Sequence, residues 1–163
     1  MRLTQWTDYT LRVLMYCAAL QERAQPVTIS EVAEVHGISR SHLTKIVQSL
    51  GALGLLDTTR GRGGGMRLLR PAGAINLGAV VRQTEADFAM VECFDPAANT
   101  CGLSAHCRLK GVLHQATEQY LAVLDGTTLA DLIAPLQSPG KVVVSGPRSR
   151  KPALLPGIPV QRA

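Results

Sequence analysis

A chain of 163 residues, 46% hydrophobic and 18% charged, is long enough to bury one core of ordinary size, and its net charge of +5 favours anionic partners. The longest apolar run near the N-terminus, Val13 to Leu20, is too short to span a bilayer and carries Tyr16 and Cys17, so no membrane partner is expected. Charge is segregated. Residues 36–82 carry a net +6 and residues 83–131 a net −5, which points to an anion-binding face on one module only.

From Leu3 to Gln21, the residues Trp6, Val13, Leu14, Cys17 and Leu20 recur at helical spacing behind Thr4, a candidate N-cap. Thr28, Ile29, Ser30 and Glu31 form a capping-box pattern that opens a second helix, and Gly37 ends it. Ser39 can cap a third helix, with Leu43, Ile46, Val47, Leu50 and Leu53 as its buried stripe and Gly54 at its close. The join through His36, Gly37 and Ile38 has the form of a helix-turn-helix. In that motif the second helix enters the major groove with its N-terminal residues at the base edges. Ser39, Arg40, Ser41, His42, Thr44 and Lys45 are therefore the candidate DNA-reading residues.

Leu55 to Thr59 and Met66 to Leu69 read as two short strands joined by Arg60-Gly61-Arg62-Gly63-Gly64-Gly65. A narrow glycine-rich hairpin bearing Arg60 and Arg62 is suited to the minor groove, where guanidinium groups meet a focused negative potential. No Lys-Ser or Lys-Thr follows the glycines, so a nucleotide-cradling loop does not fit. Residues 1–71 thus read as a winged helix-turn-helix DNA-binding domain for double-stranded DNA.

A helix is expected from about Asn76 to Glu85, with Leu77, Val80 and Val81 inward. Then comes a turn-rich loop with three cysteines, Cys93, Cys101 and Cys107. Thiolates are soft ligands that favour iron–sulfur clusters, zinc and Cu(I). Three is an odd number, and the fourth cysteine, Cys17, sits far away in an apolar helix as a core residue, so a disulfide framework is not expected. The same usage points to a reducing, cytoplasmic setting. A thiol enzyme is not expected either: His106 and Cys107 are adjacent in sequence, which is no catalytic pairing, and no oriented base stands out.

Beyond Cys107 the residues Leu109, Val112, Leu113, Ala116, Tyr120 and Leu124 form one wide apolar stripe. A second copy of the chain is the expected partner, giving a two-fold homodimer able to read a palindromic operator. Thr128 and Asp131 cap one more short helix before Pro135. Residues 72–136 then form a cluster-binding loop with dimerisation helices. The tail, 137–163, is rich in proline and basic residues, free of acids, and expected to be disordered. The fold class is mainly α: a winged helix-turn-helix with a cluster-binding loop and a long dimerisation helix. A zinc-stabilised interaction module is the rival reading from another class.

The segments Met1-Arg2-Leu3-Thr4-Gln5-Trp6-Thr7-Asp8-Tyr9 and Gly37-Ile38-Ser39-Arg40-Ser41-His42-Leu43, the Arg60 to Gly65 wing, and the three loop cysteines followed by Arg108-Leu109-Lys110 occur together. In that combination the chain resembles the bacterial winged-helix (Rrf-type) cluster-binding regulators over about residues 1–136, and among them it is most similar to the nitric-oxide-sensing repressors. The resemblance implies a 4Fe–4S cluster on Cys93, Cys101 and Cys107. It also implies a fourth ligand, Asp8 from the other subunit, with Arg12 orienting that carboxylate. From spacing alone, Asp8 is a first-turn acid that pairs with Arg12 at i, i+4, worth roughly 0.3 to 1 kcal/mol. Sister regulators with a 2Fe–2S cluster place a histidine where Lys110 stands and a glutamate where Thr44 stands; a 2Fe–2S redox or iron-status regulator is the alternative. The implied function is a homodimeric transcriptional repressor that releases its operator when nitric oxide reacts with the cluster.

Overall fold

A computed structural model describes residues 2–103 and 106–134. The expected tail, 137–163, and the stop at Pro135 lie outside the described residues.

Helix α1 (Gln5–Ala19) starts where Thr4 Oγ1 accepts from the Thr7 amide. It buries Thr7, Thr10, Val13, Leu14, Cys17 and Ala18 along one face. Helix α2 (Ile29–His36) opens on the capping box of Thr28 and Glu31 and closes on Gly37, whose φ of 66° is the left-handed conformation that glycine adopts without a Cβ penalty. Helix α3 (Arg40–Ala52), capped by Ser39, turns Leu43, Ile46, Val47 and Leu50 into the core that α1 and α2 share. The helix-turn-helix is thus built from local caps and one apolar stripe per helix.

Strands β1 (Leu56–Thr59) and β2 (Gly65–Leu68) pair antiparallel, with Leu56 opposite Leu68 and Thr59 opposite Gly65. Each begins one residue away from its expected start. Leu55 donates its amide to the Leu50 carbonyl at 3.0 Å, which closes α3 before β1 begins. Gly65 joins β2 because Val27, in the α1–α2 connection, bridges Met66 through a pair of backbone hydrogen bonds at 2.7 and 3.1 Å. A Cβ on Gly65 would collide with the Val27 carbonyl, so this third rung requires the glycine. The connection is tied down further. Arg67 donates to the carbonyls of Arg23 (2.9 Å) and Ala24, while Arg23 grips both oxygens of Glu31, at 2.7 and 2.9 Å. Tyr16 also donates to Glu31, at 3.0 Å; burial and that carboxylate push the phenol up to about 12.

Helix α4 (Leu77–Thr84) is capped by Asn76 and holds the start of α1. Glu85 accepts from the Thr4 amide at 2.8 Å, and Thr7 Oγ1 donates to Thr84 Oγ1 at 3.0 Å. Helix α5 (Arg108–Asp125) lies against α4, where Gly78 leaves room for the Asp125 carboxylate and Arg82 pairs with it. Helix α6 (Leu129–Ile133), opened by a capping box of Thr128 and Asp131, returns to α1 and buries Leu129 and Ile133 in the main core. The core therefore runs across the boundary expected at 71/72. The outward side of α5 is left bare, with Leu109 62%, Val112 61% and Val123 69% exposed. Among the described residues, no helix is long and apolar enough to cross a membrane.

Candidate nucleic-acid interface and thiol loop

Capping by Ser39 determines what the first turns of α3 present. Ser39 Oγ accepts from the His42 amide at 3.4 Å and lies 3.4 Å from Ser41 Oγ. Ser39, Arg40, Ser41, Thr44 and Lys45 are all exposed. Thr44 Oγ1 donates to the Arg40 carbonyl at 2.8 Å, so its proton is spent on backbone and it offers a methyl group and lone pairs outward. His42 is different. It is half-buried, its ring 5.9 Å from Trp6 and 5.2 Å from Tyr9.

At the wing tip Arg60 and Arg62 are exposed, and Gly61 and Gly63 take positive φ angles of 97° and 81° to turn the hairpin. Between α3 and the wing lies a cleft of about 310 Å³, lined among others by Thr28, Thr44, Gln48, Thr59 and Arg60, with no acidic residue in its wall. Such a wall suits a polyanion. Gln48 and Thr28 are not among the residues that the sequence assigns to DNA contact, Thr28 being read there as a helix cap. The signal for Gln48 was present: it is exposed and follows Ser41 and Thr44 at i+7 and i+4, on the outward stripe of α3.

The thiol loop is shaped by short polar contacts. Glu92 accepts from both the amide and the hydroxyl of Thr100, the latter at 2.7 Å, which draws together the neighbours of Cys93 and Cys101. Those bonds hold the Glu92 carboxyl below the usual carboxylate range. The Cys101 amide donates to Asn99 Oδ1 at 3.1 Å. Cys107 is the N-cap of the 18-residue α5 and makes no side-chain cap bond.

All three loop cysteines are free thiols. Cys101 is exposed, and Cys93 and Cys107 are half-buried. Among the described residues, no three His, Cys, Asp or Glu side chains come close enough to hold one metal ion, so the loop carries the thiols without assembling them, and Asp8 is not grouped with them. An unbridged, odd-numbered thiol set on one loop is nonetheless the donor chemistry that soft metals and iron–sulfur clusters take. Cys17 is another matter. It is buried in the core, and desolvation pushes its thiol up to about 12, so it is inert. Asp8 is held by Arg12 through both oxygens, at 2.8 and 3.0 Å, and each side chain remains 44% exposed.

A helix-turn-helix followed by an arginine-tipped wing, on a core closed by later helices, defines a winged-helix DNA-binding protein. Residues 3–135 match the family described as Rrf2, iron-dependent transcriptional regulator, and the chain belongs to that family. It is 50% identical over 133 residues to the HTH-type transcriptional regulator NsrR of Halalkalibacterium halodurans, covering 82% of this chain and 90% of that one. Identity to the NsrR of Bacillus subtilis is also 50%, with the same coverage. Among solved structures, T. potens IscR shares the fold, with a TM-score of 0.66 at 23% identity over 84% of this chain and 89% of that one. The chain is a DNA-binding transcription regulator and not an enzyme.

Proposed function

We propose that the chain is a homodimeric repressor whose hold on a palindromic operator depends on a 4Fe–4S cluster, and that nitric oxide is the signal that releases it. The observation that carries this reading is the set of three unbridged thiols on one loop, with Cys107 at the head of α5. Cys93, Cys101 and Cys107 would hold three corners, and Asp8 of the partner subunit the fourth. When bound, the cluster supplies iron to which a small diatomic molecule can bind.

A carboxylate is a harder donor than a thiolate, which makes Asp8 the weakest hold on such a group. Arg12, already bonded to both Asp8 oxygens, would orient it. The stripe of Leu109, Val112, Ala116 and Val123, open in a single copy, supports a two-fold dimer through α5. With two copies joined, both α3 helices engage half-sites together. A dimer loosened by losing a cross-subunit link forfeits that effective concentration without altering any contact to DNA. Relatives at about half identity, named as HTH-type transcriptional regulators, support the regulator reading, and four free cysteines suit a reducing, cytoplasmic setting.

Anaerobic reconstitution with iron and sulfide tests this. Cys93→Ala, Cys101→Ala and Cys107→Ala should each fail to take up the visible chromophore, whereas Asp8→Ala should take it up with water or an exogenous ligand in the fourth place. A heterodimer of Asp8→Ala and Cys93→Ala subunits contains one complete cross-subunit site and should regain the wild-type spectrum and nitric oxide titration. A colourless protein with stoichiometric zinc and no operator shift would replace this reading with the zinc module. A 2Fe–2S Mössbauer signature would replace the cubane, and a heterodimer with no wild-type site would return Asp8 to its own subunit.

A further inference from the structure

The wall of the cleft between α3 and the wing selects its occupant by composition. It carries Thr28 from the start of α2, Thr44 and Gln48 from α3, and Thr59 and Arg60 from the wing, all exposed. No acid lines it. Glu31, three residues beyond Thr28, is paired with Arg23 through both oxygens.

Hydrogen bonding singles out two of these residues. Thr44 gives its proton to the Arg40 carbonyl at 2.8 Å, and Val47, beside it in the wall, has none to give. Gln48 is therefore the donor that α3 brings to the cleft, with two N–H bonds on an uncharged amide. Thr28 Oγ1 accepts from the Glu31 amide at 3.2 Å, which uses a lone pair and leaves the hydroxyl proton to be donated outward. Beside them, a Cβ on Gly64 would collide with the Thr59 carbonyl, so the glycine lets the wing hairpin close along the cleft. Donors without acids fit an anion rich in acceptors.

Geometry then names the anion. With α3 in the major groove and the wing tip in the adjacent minor groove, the part of a duplex that lies between them is one sugar–phosphate strand. Gln48 stands eight residues past Arg40, about 12 Å along the helix axis at the usual rise per residue, whereas base edges are met by the N-terminal residues of such a helix. We infer that the α3–wing cleft seats one sugar–phosphate strand of bound duplex DNA, and that Gln48 and Thr28 clamp one of its phosphates from opposite elements. Such contacts fix the register of a protein on the duplex and carry no sequence information. The inference rests on DNA binding by this chain and not on the cluster.

Salt separates an uncharged clamp from the charged wing. Gln48→Ala removes a hydrogen bond to a charged acceptor and should weaken binding by about tenfold for each copy bound, whatever the base pair at any operator position. It releases no counterion, so its salt slope should stay at the wild-type value, unlike that of Arg60→Ala. Gln48→Glu and Thr28→Asp place a carboxylate in the cleft and should weaken binding further, and aspartate still caps α2. The test uses the full-length chain and an operator that the wild type selects from a random duplex pool. Phosphates of that operator are then replaced one at a time by uncharged methylphosphonate. At one phosphate of each half-site the Gln48→Glu deficit should shrink by about tenfold, and the Thr28→Asp deficit should shrink at the same or the adjoining one. Melting of the Gln48 variants should match wild type, because the residue is exposed and outside the core.

A preference altered at a single base pair in Gln48→Ala would make Gln48 a base reader and overturn the clamp. Wild-type affinity in Gln48→Glu, or a deficit that no methylphosphonate relieves, would take the strand out of the cleft. If Thr28→Asp does not fold, the two Gln48 variants decide the question by themselves. A wild type that binds its operator with no response to iron or nitric oxide would sink the cluster reading alone, and a cluster-dependent operator with no relieving phosphate would sink this inference alone.

Discussion

Thr44 shows how one hydrogen bond narrows what a side chain can read. With its proton given to the Arg40 carbonyl, it can accept from an exocyclic amine or pack against a thymine methyl, but it cannot donate. Thr44→Val, which keeps the methyl and loses the lone pairs, should therefore favour thymine at its position, whereas Thr44→Glu should favour cytosine, with discrimination of about 1 to 3 kcal/mol for a good contact. Binding-site selection checks both, and an unchanged preferred sequence in Thr44→Glu removes Thr44 from base reading. Arg60 and Arg62, exposed at the wing tip and proposed to meet phosphate, differ from Thr44 in offering charge. Arg60→Ala or Arg62→Ala should weaken binding to all sequences and lower the salt slope by about one unit per lost phosphate contact. Full affinity with an unaltered slope would take the wing off the DNA. Both arginines were legible in the sequence because glycines flank them. The inward turn of His42 was not, because it depends on where α1 crosses α3.

Glu31 joins three elements. It completes the capping box of α2, accepts from Tyr16 of α1, and pairs with Arg23, whose carbonyl accepts from Arg67 on the wing strand. The Arg23 guanidinium bond, opposed by burial, holds the Glu31 carboxyl below its ordinary range. Folded Glu31 binds its proton less readily than unfolded Glu31, so the unfolded state takes up more protons and stability rises with pH. The contribution is whole above the ordinary glutamate range and is lost as pH falls through the depressed folded value. Glu31→Gln should cost about 1 to 2 kcal/mol at neutral pH, the scale of a cap plus a charged hydrogen bond. The deficit should shrink toward zero in acid. Urea unfolding of both proteins across that range checks it, and a deficit that does not vary with pH would assign the loss to capping alone.

For the whole molecule, the decisive feature is an 18-residue helix with one face on α4 and the other bare. Replacing Leu109 or Val112 with aspartate places a charge in the stripe proposed to meet its copy. Leu109→Asp and Val112→Asp should sediment as monomers, lose operator affinity steeply, and keep the wild-type melting of a single chain because neither residue serves the core. Dimers that persist in both variants would move the interface elsewhere.

The sequence by itself determined the elements whose causes are local. Thr4, Thr28, Ser39, Asn76 and Thr128 each cap the helix that follows, and Gly37 ends α2, because a cap needs only residues within about one turn. The three loop cysteines were legible as a thiol set from their number and spacing alone. Only the tertiary structure decided that Val27 adds a rung to the wing, that α6 returns to bury Leu129 and Ile133 against α1, and that His42 packs between Trp6 and Tyr9 while Gln48 faces the cleft. Those outcomes depend on how helices cross and how closely backbones approach over tens of residues, and no periodicity within a single element records that.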